Sequence, residues 1–97
     1  MNLKIIGAIN RKQTLSFTYD NFHLVVEPHA YGVAEGGTEV IQAYQTKGRR
    51  APGDSHPWHL FSVSKLTRLS NTGNYFAGPR PDYERADKAI RPIYHQL

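Results

Sequence analysis

The 97-residue chain predicts a mainly β fold, a small antiparallel sheet with a helix at each end. Three observations lead there. Successive segments alternate apolar and polar residues with period two, Gly- or Asn-bearing turns separate them, and helix-like spacing is confined to the termini. The length suits a single domain, 1–97, with one modest core. Hydrophobic residues make up 39% of the chain, including one Trp, six Tyr and four Phe, which is enough apolar surface to fold rather than stay disordered.

Residues 1–12 place Leu3, Ile6 and Ile9 at three-residue spacing with Ile5 and Ala8 beside them, the pattern of a short amphipathic helix. Asn2 stands where it can cap that helix. The barrel-forming region is 14–77. "TLSFTYD" alternates Leu15, Phe17 and Tyr19 against Ser16 and Thr18, a half-buried strand, and Asp20-Asn21 supplies a turn. His23 to Val33 is a second strand interrupted by Pro28, which lacks an N–H and belongs at an edge or a bulge, so the strand bends there. "AEGG" turns, and "TEVIQAYQ" is a third strand. The segment 46–57 gathers Gly, Pro, Ser and charge and reads as an exposed loop. A fourth strand starts at Trp58, with Phe61 and Val63 in alternation. Leu66 and Leu69 have slipped phase, which predicts a bulge or tight bend near Ser64-Lys65. "NTGN" then turns into a short "YFAG" strand. In 81–97, Tyr83, Ala86, Ile90 and Tyr94 lie near helical spacing, with Asp82 as cap and Pro92 as a kink, and predict a closing C-terminal helix. About five strands with helical (α+β) edges in under 100 residues suggest an SH3-like or Sm-like antiparallel β-barrel.

Charge narrows the classes of partner. Twelve Lys and Arg stand against eight Asp and Glu, a formal +4. Lys4, Arg11 and Lys12 form one basic group, and Lys47, Arg49 and Arg50 another. Such clustering favours an anionic partner, nucleic acid or a nucleotide-like ligand. The chain has no cysteine, which removes disulfides, thiolate metal sites and a cysteine nucleophile, and points to a reducing cytoplasm. No apolar run approaches the roughly 20 residues that span a bilayer, so no membrane is expected.

The bend at Pro28 gives Glu27, His29 and Tyr31 a common side near Tyr19, a polar, aromatic-edged patch. An ordinary packing reading stands beside it, in which Glu27 pairs with a basic side chain and Tyr31 packs at an edge. Trp58 follows the basic loop, where its indole would stack on a base while Arg49 and Arg50 close on phosphate, or would pack at the barrel rim. His59, Lys65 and Arg68 complete the candidate contacts. His56 and His59 lie three apart, but Pro57 forbids the helix that would align them, and no third zinc ligand is evident, so neither a metal nor a cofactor is expected. No G-x-S-x-G elbow, P-loop or G-x-G-x-x-G is present, and no catalytic residue is assigned.

From about Leu3 to Phe76 the chain resembles the WYL domain, a small Sm-like barrel of bacterial transcription regulators. The resemblance rests on "IIGAI", "LSFTY", "VVEP", "AYQ" and "FSVSKL", taken in order, and "FAGPRPDY" is similar to the tail of compact forms without a DNA-binding domain. The family's name triplet falls on Glu39-Val40-Ile41, and its arginines fall on Leu24, His59 and Lys65. The resemblance implies a non-enzymatic sensor of nucleic acid or a nucleotide-like anion in a bacterial regulatory setting. Two other readings stay open: a small-barrel ribonuclease, and an interaction module that docks a partner or forms a homodimer.

Overall fold

The computed structural model describes residues 2–48 and 56–97. Its elements are helix α1 (Leu3–Arg11) and strands β1 (Gln13–Tyr19), β2 (Phe22–Ala34), β3 (Glu39–Lys47), β4 (Trp58–Ser62), β5 (Thr67–Tyr75) and β6 (Ile90–Gln96). All pairings are antiparallel, in the order β4-β3-β2-β1-β5, and β6 also pairs with β2.

The N-terminal helix forms where its spacing predicts. Asn2 is extended, and its side-chain oxygen accepts from the N–H groups of Lys4 and Ile5 at 3.0 and 3.2 Å, satisfying donors that a helix leaves open. Lys12 ends it in the left-handed region, with its N–H turned back on the carbonyls of Ala8 and Ile9. Ile5, Ala8 and Ile9 point into the main core with Leu15, Phe17, Leu24, Val26, Tyr31, Ile41, Ala43 and Phe61.

Strand β2 organises the sheet, and Pro28 organises β2. Along β3, Pro28 pairs with Ala43 and Ala30 with Gln42, so His29 is an extra residue in the ladder. Such a bulge reverses the alternation of side chains. Before it, Leu24 and Val26 face the α1 side. After it, Tyr31 does, while Ala30 joins a second, smaller core with Val40 and Ile90 on the opposite face. The bulge also divides one edge of β2 between two partners: β1 takes Phe22–Val26, and β6 takes Ala30–Ala34.

The structure corrects the sequence reading in three places. Among the described residues the sheet has six strands and stays open, with no closed barrel. The tail 81–97 forms turns and then β6 in place of a closing helix. Pro92 would remove a helix hydrogen bond and clash with the preceding turn, whereas in β6 it sits where the ladder is already irregular, between the pairs Gly32↔Ile93 and Ala34↔Ile90. Thirdly, "NTGN" lies within β5, with Gly73 at φ +84°, and "YFAG" adds no separate strand. The phase slip after Val63 is a 3₁₀ turn over Val63–Lys65, at the predicted bend.

Gly32 has a specific duty in joining β6. A Cβ on it would lie 2.3 Å from the Pro92 carbonyl oxygen and 2.9 Å from Ile93 Cα, so only glycine lets the two backbones approach this closely.

Candidate functional site: an internal arginine cluster and a basic seam

Glu27, by alternation with Val26, and His29, at the bulge, lie on the face away from α1, where the segment between β5 and β6 crosses the sheet. His29 is fully buried. Its Nδ1 lies 2.8 Å from the carbonyl oxygen of Glu27, and its Nε2 accepts from the backbone N–H of Arg80 at 3.1 Å. A carbonyl can only accept and an amide can only donate, so the imidazole is neutral with its proton on Nδ1. Burial lowers its pKa from 6.5, opposed by the Glu27 carbonyl and carboxylate.

Arg80 then closes on Glu27. Its Nε and Nη2 donate to the two carboxylate oxygens at 2.7 and 2.9 Å, and its guanidinium carbon lies 4.1 Å from the centre of the Tyr44 ring. Glu27 is 7% exposed, so a bidentate partner is what allows it to stay buried and ionised. The aromatic rings fill the remaining space. Trp58 meets His29 edge-on at 4.7 Å and stacks on Tyr83 at 6.0 Å, and Phe76 stacks on His29 at 5.6 Å. Tyr83 donates to the His29 carbonyl at 3.4 Å. Burial raises the Tyr83 pKa.

Of the residues singled out by sequence, the structure brings together Glu27, His29 and Trp58, and Glu27 pairs with a basic residue as the packing reading held. The common patch with Tyr31 and Tyr19 does not form, because the bulge turns Tyr31 to the other face. There Tyr31 is fully buried, accepts from the Asn2 N–H and donates to the Glu39 carboxylate. Burial and that carboxylate push its pKa up to about 12. Tyr19 packs on Phe17 and Phe61, and its hydroxyl accepts from Ser62 N–H. His59 contacts Phe61 on the α1 side of the sheet. Arg49 and Arg50 lie outside the described residues. Trp58, for which base stacking and rim packing were both open, is half-buried in the cluster with Tyr83 stacked on it.

Sequence reasoning missed Arg80, Tyr83, Tyr44 and Phe76. One signal was present: in "GPRPDY" an arginine between two prolines is held extended and cannot join a helix.

Lys65 and Arg68 belong to a second feature. Helix α1 runs beside β5: Lys4 Nζ donates to the Leu69 carbonyl at 3.3 Å, Arg11 and Asn71 both donate to Gln13 Oε1, and Phe76 N–H donates to the Lys12 carbonyl. Lys4, Arg11, Lys12, Lys65 and Arg68 are all exposed along this seam and its continuation, and α1, β1 and β5 contain no carboxylate. None of the five makes an ion pair with a described residue, whereas Arg80 pairs with Glu27. Tyr75, 69% exposed, ends β5 opposite Gln13. Among the described residues no three His, Asp or Glu converge on a metal position, and no helix is long and apolar enough to cross a membrane. Comparison with protein-family models, curated proteins and solved structures finds no match.

Proposed function

We propose that this domain is a non-enzymatic binding module for a nucleic acid or nucleotide-like anion, and that the α1–β5 seam is its contact surface. The observation that carries the reading is the separation of charge. Five exposed cations, Lys4, Arg11, Lys12, Lys65 and Arg68, lie along elements with no carboxylate, and none is neutralised among the described residues. Folding brings two remote stretches of sequence, 3–12 and 65–75, into one basic strip, and self-repulsion of that kind is relieved by a polyanion. Tyr75 adds an exposed ring at one end on which a base can stack. A hydrolytic role for His29 gains no support, since both its nitrogens are engaged inside the protein.

The test is fluorescence anisotropy of a labelled single-stranded oligonucleotide at several salt concentrations. Each phosphate contact contributes about −0.7 to the slope of log K against log salt, so four contacts give a slope near −3. The charge reversals Arg11→Glu with Lys12→Glu are expected to weaken binding and flatten that slope. Affinity indifferent to salt and to these substitutions would sink the reading. Tyr75→Ala is expected to cost about 1–3 kcal/mol of binding without changing the slope.

A further inference from the structure

The cluster around Glu27 has the construction of a receptor and its ligand, both supplied by one chain. The receptor belongs to the sheet. Its parts are the Glu27 carboxylate, the Tyr44 ring, His29 Nε2 as an acceptor for a backbone N–H, and the Trp58 indole. The ligand belongs to the strap between β5 and β6. Tyr83 N–H donates to the Arg80 carbonyl at 2.9 Å, so Arg80–Tyr83 is a β-turn with Pro81 in the position that proline prefers. That turn presents Arg80 to Glu27 and Tyr44, and Tyr83 to Trp58. Each contact is specific: a two-pronged salt bridge, a guanidinium over a ring, one backbone hydrogen bond and one ring stack.

We propose that this face of the sheet is a binding site for an Arg-Pro-x-Tyr turn, occupied in cis by the strap and open in trans to a partner segment of the same chemistry. The inference concerns a different face from the basic seam and does not depend on it. Two observations favour exchange with a partner over a purely internal role. The strap leaves Trp58 Nε1 and Gln42 Oε1 buried with no hydrogen-bond partner among the described residues. The strap is therefore an imperfect cover, and lifting it to admit another copy of the same turn costs less than opening a fully satisfied site would. The recognised arginine also stays in reach of solvent, its side chain 38% exposed against 9% for Glu27, so the receptor is the buried member and the ligand the accessible one.

Because the strap is tethered, it competes at an effective concentration of order millimolar, and a free peptide sees only the fraction of molecules with the strap lifted. If that fraction is about one in a hundred, the apparent affinity of the intact chain is about 100-fold below that of a chain with the strap disabled.

The experiment uses a synthetic peptide spanning residues 76–84, a twin with citrulline for arginine, and full-length chains carrying Arg80→Ala with Tyr83→Ala or, to keep a cation opposite Glu27, Arg80→Lys with Tyr83→Ser. Binding is followed by calorimetry and by Trp58 fluorescence. The proposal expects saturable binding of the arginine peptide to a strap-disabled chain, at least tenfold tighter than the citrulline twin and at least tenfold tighter than to the unmodified chain. Adding Glu27→Gln should remove the preference for arginine over citrulline. Equal binding of the two peptides, or no binding to a folded strap-disabled chain, overturns it. Should neither variant fold, the unmodified chain is titrated to millimolar peptide: a change in Trp58 emission with arginine and not with citrulline supports the site, and no difference overturns it.

Discussion

His29 has both ring nitrogens spoken for, one by a carbonyl and one by an amide, so a second proton can enter only by breaking the bond to Arg80. This fixes the direction of its pH dependence. Above pH 6.5 the folded and unfolded chains both hold it neutral, and it contributes no slope. Below 6.5 the unfolded chain takes up a proton that the folded chain refuses, so stability falls as pH falls and levels off only below the lowered folded pKa. Denaturant unfolding at pH 7.5, 6.5 and 5.5 is expected to show a loss of up to about 1.4 kcal/mol per pH unit below 6.5. The slope should be reduced in His29→Gln, and an unchanged slope in that variant would assign the effect elsewhere. Glu27 supplies a second test. Arg80→Ala leaves a buried carboxylate unpaired and is expected to cost about 2–3 kcal/mol, below the usual 3–5 for a fully buried pair because Arg80 is partly exposed. Restoring neutrality with Glu27→Gln in the same chain should recover part of that loss, and failure to recover any would mean the pair is not coupled.

At the scale of elements, the bulge at Pro28–His29 and the clasp at Gly32 decide where everything else sits. Period-two alternation locates β1, β2 and β3 because each covers a core with one face and water or the strap with the other. The existence of the bend was legible from Pro28 alone. Its consequence was not: inserting one residue moves Tyr31 away from His29, and no local pattern states how many residues a bulge inserts. The tail misleads for a related reason. Tyr83, Ala86, Ile90 and Tyr94 are apolar at helical spacing, yet Tyr83 packs on Trp58, Ile90 on Ala30 and Val40, and Tyr94 on Tyr31, separate places on the sheet in place of one helix stripe. What draws 90–96 into a strand is the unpaired edge of β2 beyond Pro28, a long-range demand that the tail's own sequence does not carry. Gly32→Ala therefore tests the joint directly. Its methyl meets the Pro92 carbonyl, and thermal or denaturant unfolding should show a loss of about 1–3 kcal/mol, the usual cost of overpacking. Hydrogen exchange should speed up first in β6; protection left intact there would refute the clasp.

The whole molecule divides its labour between two surfaces. On one, a helix and the last strand before the strap assemble a strip of unneutralised cations from stretches of chain some 60 residues apart. On the other, an ion pair, a neutral imidazole and several rings are occupied with each other. The sequence showed the basic character of 1–12 and of Lys65 and Arg68 but not how they line one seam: α1 returns along β5 and carries Lys4 to Leu69, beside Arg68, while the pairing of β1 with β5 holds Arg11 and Lys12 at the Tyr75 end. It also offered Trp58 as a stacking group or a packed ring; Tyr83 stacks on it from within the chain, which leaves Tyr75 as the exposed ring beside the cations. The most direct measurement is a two-dimensional amide NMR titration of the chain with a short single-stranded oligonucleotide at low salt. Shift changes are expected at Lys4, Arg11, Lys12, Arg68 and Tyr75 and are lost on adding salt, with His29, Trp58 and Tyr83 unmoved. Changes centred on Trp58 and Tyr83, or no saturable change anywhere, would contradict the basic seam as the contact surface.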